Sequence, residues 1–461
     1  MGSCFASLYA AAILFSQTAH LEWVGKFSHG PYGPTLVAET VLAIIALGVL
    51  VSPASARRLL ILAALYLVCV ALWLPAVTNH RVVLALVSLS ICGAGLVARH
   101  DGDALFSAYR GSVRAIVIVV YGFAFFAKLN VDYLSLEHSC AVQFFGNIVW
   151  YDEQLSGSHW LRAAVVYGTL IVEGILPLGL LWRRTRVAAV FLAWGLHVTL
   201  ALDMLKHFVD FSSVMLAVVS TFLPGLSAER VQARWQEIYR RRLARWPVLR
   251  TFASPTRWLV VAFLGLIGVA IVAGANIRFM PQLMIVREQV WLVYAAGVLL
   301  AWWWVRRAEP VPVAPATAGV VSLWLLITAL AVLNGLSPYL GLKTRTAFNM
   351  YSNLLIDDRS SNHLVIPRSL DAFGMLADRT IIEETDDEAL LRMVGAEGAE
   401  VPYIGLASYL VAHPDTWVRF RRADLTYDHP ADPLPEHPSW LLGKVALFRP
   451  IGEDVRNFCI W

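Results

Sequence analysis

The sequence is short of charge. Asp, Glu, Lys and Arg make up 15% of its 461 residues, against about 25% in a soluble globular chain. Apolar residues reach 58%, above the usual ~45–50%, and the mean hydropathy is +0.61. An ordinary soluble domain is excluded, and a polytopic membrane protein is indicated. The five cysteines form no CxxC, which removes zinc-ribbon and thioredoxin-type sites. Cys69 and Cys92 lie inside apolar runs and read as packing residues. No GxxxxGK[ST] or GxGxxG stretch offers a phosphate-cradling loop, and no internal repeat is visible. The first 24 residues lack a basic leader and a small-residue cleavage site, so they read as a first membrane helix. A net charge of +4 is mild and implies no nucleic-acid partner.

Long apolar runs are what the chain has. About 20 apolar residues cross a bilayer as a helix, and about eleven such runs occur, near 6–25, 36–51, 58–78, 82–98, 113–129, 161–182, 187–205, 208–224, 257–275, 283–304 and 318–336. Seventeen tryptophans suit the membrane interfaces where Trp gathers. Basic residues fall in alternate loops: Arg57 and Arg58; Arg99, Arg110 and Arg114; Arg183, Arg184 and Arg186; 230–250; Arg306 and Arg307. Basic loops mark the cytoplasmic side, so the N-terminus is expected inside a cell (inner) membrane and the C-terminal tail outside.

The expected fold is all-α and polytopic, with a small external α+β domain. The expected division is 1–225 and 251–340 as transmembrane regions, 226–250 as a cytoplasmic basic helix, and 341–461 as the external cap. In the basic segment Val231, Trp235, Ile238 and Trp246 recur at helical spacing, as in a helix lying on an anionic leaflet. In the cap, "WVRFRR" and "KVALFRP" read as strands and "DDEALLRMV" as a helix.

Polar residues collect at the outer ends of the runs. The third run ends in "LPAVTNHR", with Asn79 and His80, and the fifth ends in Lys128. A lysine at a helix end ordinarily snorkels to the headgroups. Here Phe123, Phe125 and Phe126 would desolvate the amine, which favours its neutral, basic form. Glu173, about 18 Å into the sixth run, and His197 in the seventh are expected near mid-bilayer, where an ionisable residue is a functional candidate. A Glu–His hydrogen bond locking two helices is the plainer reading, and a proton relay of a transporter is the rival one. Pro177 lies just beyond Glu173, and Asp203 and His207 close the seventh run.

The last run leads into "NGLSPYLGLKTRTAFNMYSN" and then "SSNHLVIP". Gly335, Pro338 and Gly341 are expected to break the helix, leaving Tyr339, Lys343, Arg345, Tyr351, Asn353, Asn362 and His363 as a lid or wall over the site, or as a plain re-entry into the cap. Cys140 and Cys459, both external, are candidates for a disulfide. The loop 130–160 carries Asp132, Glu137, His138, Asp152, Glu153 and His159 at spacings that match no ligand pattern, so no metal is expected.

Three stretches, "LPAVTNHRVVL", "LFSAYRGSVRAIVIVVYGFAFFAKLNVDYL" and "EGILPLGLLWRRTRVAAVFLAWGLHVTLALDMLKHFVDFSSVMLA", resemble the vitamin K-dependent gamma-carboxylase family and its bacterial HTTM-domain relatives. The likeness covers roughly 70–225, and Asn334 to His363 also resembles bacterial members. The resemblance implies Lys128 as the base that deprotonates reduced vitamin K, with His80 in support. Asn79, Phe125, Phe126, His197 and Tyr339 are the candidate residues around the naphthoquinol. Glu173, His207, Asn334, Lys343, Tyr351, Asn353 and His363 would support the site or its substrate. The implied co-substrates are O2 and CO2, and the implied partners are the bilayer, a lipid quinol and a secreted glutamyl-containing protein or peptide. Animal members have two adjacent lysines where this chain has Ala127–Lys128, an aspartate at Asn130 and a tryptophan at Tyr133. They also carry a large luminal substrate domain, in place of which this chain has a short tail. Quinol oxidation alone, or carboxylation of a smaller substrate, therefore stands beside protein carboxylation. A non-enzymatic membrane scaffold is the remaining alternative.

Overall fold

The computed structural model describes residues 2–19, 33–75, 77–97, 102–149, 152–203, 208–223, 228–243, 255–274, 280–306, 317–388, 390–391, 398–436, 438–451 and 459. The chain is mostly helical. In order come α1 (Gly2–Ala19), α2 (Gly33–Val51), α3 (Ala56–Trp73), α4 (Asn79–Val97), α5 (Gly102–Ala127), α6 (Val131–Leu134), α7 (Cys140–Ile148), α8 (Glu153–Gly157), α9 (His159–Leu181) and α10 (Arg186–Ala201). There follow α11 (Val209–Val219), α12 (Ala228–Ile238), α13 (Pro255–Gly274), α14 (Met280–Val305) and α15 (Ala318–Leu336). The C-terminal region holds β1 (Arg379–Thr385), β2 (Glu400–Pro402), α16 (Tyr403–Ala412), β3 (Val418–Arg422), β4 (Leu425–His429) and α17 (Trp440–Val445).

Each of the eleven apolar runs overlaps a helix among the described residues. Among the described residues six of these, α3, α4, α5, α9, α14 and α15, are long and apolar enough to cross a membrane. They leave large apolar side chains bare, such as Leu178 on α9, Val293 on α14 and Leu325 on α15. A water-facing helix hides such side chains, so these faces suit lipid. The run at 208–224 is different. Its helix α11 has 11 residues, about 16 Å, too short to cross alone, and from Ser212 to Val219 every side chain is buried. It is a core helix, apolar all round because protein surrounds it.

Two compact units divide the chain. The first comprises Met1–Leu72, His80–Ile118 and Ile175–Ala329; the second comprises Trp73–Asn79, Val119–Gly174 and Leu330–Trp461. In the first, α1 packs against α11 and α2, and α13 against α14; Tyr9 to Phe15 of α1 are wholly enclosed. Helix α12 is amphipathic as expected: Val231, Trp235 and Ile238 are half-buried while Arg234 and Gln236 are exposed. Trp246 lies outside the described residues.

In the second unit the strands form an antiparallel sheet in the order β2-β1-β3-β4, with Ile382 opposite Phe420 and Phe420 opposite Tyr427. Helix α16 covers one face, packing Leu406, Ala407 and Leu410 on Ile382, Val418 and Phe420. "WVRFRR" is a strand as expected, and the described part of "DDEALLRMV" is helical, capped by Asp387 accepting from Leu390 N at 2.7 Å. "KVALFRP" is not a strand. Ser439 caps a helical turn through Val445, and the backbone beyond it binds irregularly, Leu447 O accepting from both Thr344 N and Arg345 N. Gly335 does not break α15, which runs on to Leu336.

Candidate functional site

Lys128 follows directly on α5, and three aromatic residues before it fix its position. A Cβ at Gly335 of α15 would overlap the Phe123 ring, and one at Gly174 of α9 would stand 2.9 Å from the Phe125 ring. Both glycines therefore admit a ring against a helix backbone. Phe126 packs on Tyr339 and His363, with ring centroids 5.3 and 4.6 Å away. The phenylalanines lock the end of α5 against its neighbours, and the ring that faces the Lys128 ammonium is Tyr133, at 5.7 Å.

Lys128 Nζ lies 2.7 Å from Glu173 Oε2, with both side chains nearly enclosed (6 and 11% exposed). The approach is an ion contact and not an aligned hydrogen bond, since Oε2 has no hydrogen-bond partner among the described residues. Sequence position put these residues at different depths, and the structure brings them together. One face of the first half of α9 packs on the segment after Lys128, with Val165 and Val166 against Tyr133, Leu136 and Ala141.

A polar knot holds the chain after Lys128. Buried Asn130 donates to Ala127 O (2.8 Å) and Ser352 O (2.6 Å) and accepts from Tyr133 N (2.8 Å). Asn362 donates to Asp132 and to Asn353 O, each at 2.7 Å, and Asn353 accepts from Cys140 N and donates to His138 O, each at 2.9 Å. Cys140 is disulfide-bonded to Cys459. His363 Nε2 stands 2.9 Å from Phe126 O, while Nδ1 accepts from Val365 N (3.1 Å) and Ile366 N (3.2 Å). With Nδ1 an acceptor, the proton belongs on Nε2 and the ring is neutral. Burial also pushes its pKa below the ordinary value, against the bond to Phe126 O.

The loop 344–353 beside this knot holds Thr346, Phe348, Tyr351 and Asn353 at positive φ, a left-handed conformation that costs a non-glycine residue about 1–2 kcal/mol. Side chains singled out from sequence hold it there. Asn79 Oδ1 accepts from Phe348 N (2.9 Å), Asn334 donates to Thr346 O (3.2 Å), and Lys343 Nζ reaches Thr346 O at 3.3 Å. The Tyr351 ring meets Phe144 at 4.7 Å. Burial pushes Lys343 down to about 8. Ala127, Tyr339, Leu354 and Ile356 form one small cluster, so the loop leads straight to the backbone before Lys128.

His80 belongs to the first unit and has its own partners. Its Nε2 is 3.2 Å from Ser16 Oγ and 3.4 Å from Asp210 Oδ2. A Ser–His–Asp relay needs the carboxylate on the other ring nitrogen, so these three residues do not form a nucleophile triad. Charged neighbours surround the pair: Arg81 and Asp210 act on His80, and Asp210 and Glu288 act on Arg287. Glu39, Arg81, Arg287 and Glu288 are all buried. Sequence reading missed Glu39, Asp210, Arg287 and Glu288, although each lies inside an apolar run and that position alone marks a candidate. His197 is in the first unit, its ring 5.1 Å from Phe211 and its carbonyl accepting from Ser212 Oγ. Asp203 is wholly buried there, and His207 lies outside the described residues. Asp152 caps α8 and Asp132 is engaged by Asn362. Compared with family models, curated proteins and solved structures, the chain gives no match.

Proposed function

We propose that the chain is an integral membrane enzyme of the vitamin K-dependent carboxylase type, which takes a reduced naphthoquinone from the bilayer, oxidises it with O2, and couples that oxidation to carboxylation of a glutamyl or smaller substrate. The observation that carries this reading is the buried Lys128–Glu173 pair. In this reading Lys128 passes its proton to Glu173, which leaves the amine with the lone pair needed to take the proton of a quinol hydroxyl while Glu173 holds the proton released. The resulting ammonium stands beside the quinolate and stabilises it. The rings of Tyr133, Phe126 and Tyr339 in the same unit suit a flat, lipid-borne quinol. The Cys140–Cys459 bond agrees with an oxidising, external location for this region.

The test is epoxide formation from reduced vitamin K and oxygen by the purified protein in lipid nanodiscs, followed by chromatography. Lys128→Ala and Lys128→Arg are expected to abolish it, because arginine stays protonated, and Glu173→Gln to slow it by ~100-fold or more, the scale of a general acid–base contribution. Equal epoxide from wild type and Lys128→Ala would remove Lys128 from the mechanism. Incorporation of labelled bicarbonate into a glutamyl peptide, measured alongside, separates carboxylation from quinol oxidation alone.

A further inference from the structure

The second unit exposes apolar side chains where a water-facing domain would hide them. Between β4 and the C-terminus, α17 shows Trp440 (78% exposed), Leu441 (64%) and Val445. Between the knot and β1, the run 364–373 shows Leu364, Val365 (63%), Leu370 (77%) and Phe373 (66%). The two patches flank one small core, in which Met375 and Leu376 pack on Ala446 and Phe448.

Hydrogen bonds tie both patches to the ends of membrane-crossing helices. In α17, Lys444 Nζ donates to Leu74 O at 3.0 Å, one residue beyond α3. Leu364 N donates to Leu129 O at 2.8 Å, two residues beyond α5, and the neighbouring His363 reaches Phe126 O. Leu370 N and Ala372 N donate to Tyr339 O and Leu340 O at 2.9 and 3.0 Å, just beyond α15. The patches therefore adjoin the ends of three helices long and apolar enough to cross a membrane, ends that in a bilayer would lie toward the headgroups. Arg368, exposed in the middle of the second run, has no carboxylate partner among the described residues, whereas Arg379, Arg419, Arg421 and Arg422 of the nearby sheet all do. An exposed tryptophan, bare aliphatic side chains and an unmatched arginine are the composition of a surface that sits in a lipid interface.

We propose that α17 and the run 364–373 are seated in the interfacial layer of the leaflet, so that the C-terminal region is a lipid-embedded wedge beside Lys128 and not a water-facing cap. The partner is the bilayer itself, with Arg368 meeting a headgroup phosphate. The inference rests on the membrane reading above and not on the chemistry assigned to Lys128. It favours substrates that already partition into the leaflet.

The experiment places the photo-crosslinker p-benzoylphenylalanine at Phe373 or Leu441 of the full chain in nanodiscs of phosphatidylglycerol and phosphatidylcholine. Adducts are identified by mass spectrometry. Leu178 of α9 serves as the lipid-facing control and Leu425 of β4 as the water-facing one; both are exposed. Lipid adducts at 373, 441 and 178 but not at 425 are expected, and Arg368→Gln should reduce the share of phosphatidylglycerol among those at 373. Lipid adducts at 178 alone would overturn the wedge, as would adducts at 373 and 441 to a second copy of the chain. No lipid adduct at any position would overturn the membrane reading with it. None of these outcomes depends on turnover, so loss of epoxide formation leaves the test intact.

Discussion

At the scale of the residue, the site turns on buried groups that need each other. Lys128 and Glu173 are each acceptable out of water only because the other is there. Removing one should cost about 3–5 kcal/mol, and the double variant Lys128→Met/Glu173→Leu should be more stable than either single one. Thermal melts of the detergent-solubilised protein across the cycle check this; additive losses would mean the pair is not energetically coupled. His363 makes a second prediction. Its Nδ1 must stay an acceptor for Val365 N and Ile366 N, and burial lowers its folded pKa from the ordinary 6.5. The unfolded chain therefore binds the proton first as pH falls. The stabilisation from this ring is complete above about pH 6.5 and is lost as pH falls through the folded pKa. His363→Asn keeps an acceptor near Nδ1 without titrating, so its melting temperature should fall less than wild type between pH 7.5 and 5. Parallel pH profiles would show that His363 is not a titrating contributor.

At the scale of the element, two glycines decide how helices meet. Gly335 of α15 lies under Phe123, and Gly174 of α9 under Phe125. Gly335→Ala forces the Phe123 ring to move and should cost about 1–3 kcal/mol, the range for overpacking. Phe123→Leu in the same chain should recover much of that loss, and thermal melts of the wild type and the two variants read it directly. In a membrane-like sequence a glycine before a proline reads as a helix stop, as "NGLSP" did. Its packing role becomes visible only once the ring of another helix is seen lying on it. Helix α11 carries the same lesson: its apolar sequence matches a membrane crossing, but its 11 residues are enclosed by the first unit's own side chains.

At the scale of the whole molecule, the disulfide joins residues 319 positions apart and closes the second unit on itself. Peptide mapping under non-reducing conditions should recover Cys140 linked to Cys459, and reduction should lower thermal stability, typically by about 2–4 kcal/mol for such a bond. Two free thiols in protein from an oxidising compartment would contradict it. The orientation expected from arginine placement has its own check: alkaline phosphatase fused after Trp461 should be active, since that enzyme folds only outside the cytoplasm, and an inactive, stable fusion would invert the topology.

Composition and periodicity determined the elements: the apolar runs, the amphipathic basic helix, the strand at "WVRFRR" and the polar character of the helix ends follow from residue type and spacing, which act locally. Lys128, Asn79, Asn353 and His363 were visible because polar residues among apolar ones must be satisfied by something. What satisfies them was decided by tertiary structure. The partnership of Lys128 with Glu173, of His80 with Asp210, and of three asparagines in one knot joins positions far apart in the chain. So does the division into two units, whose boundaries fall within α3, α4, α5, α9 and α15. Local sequence carries the cost of burying each group, but only the packed chain sets which distant group offsets it.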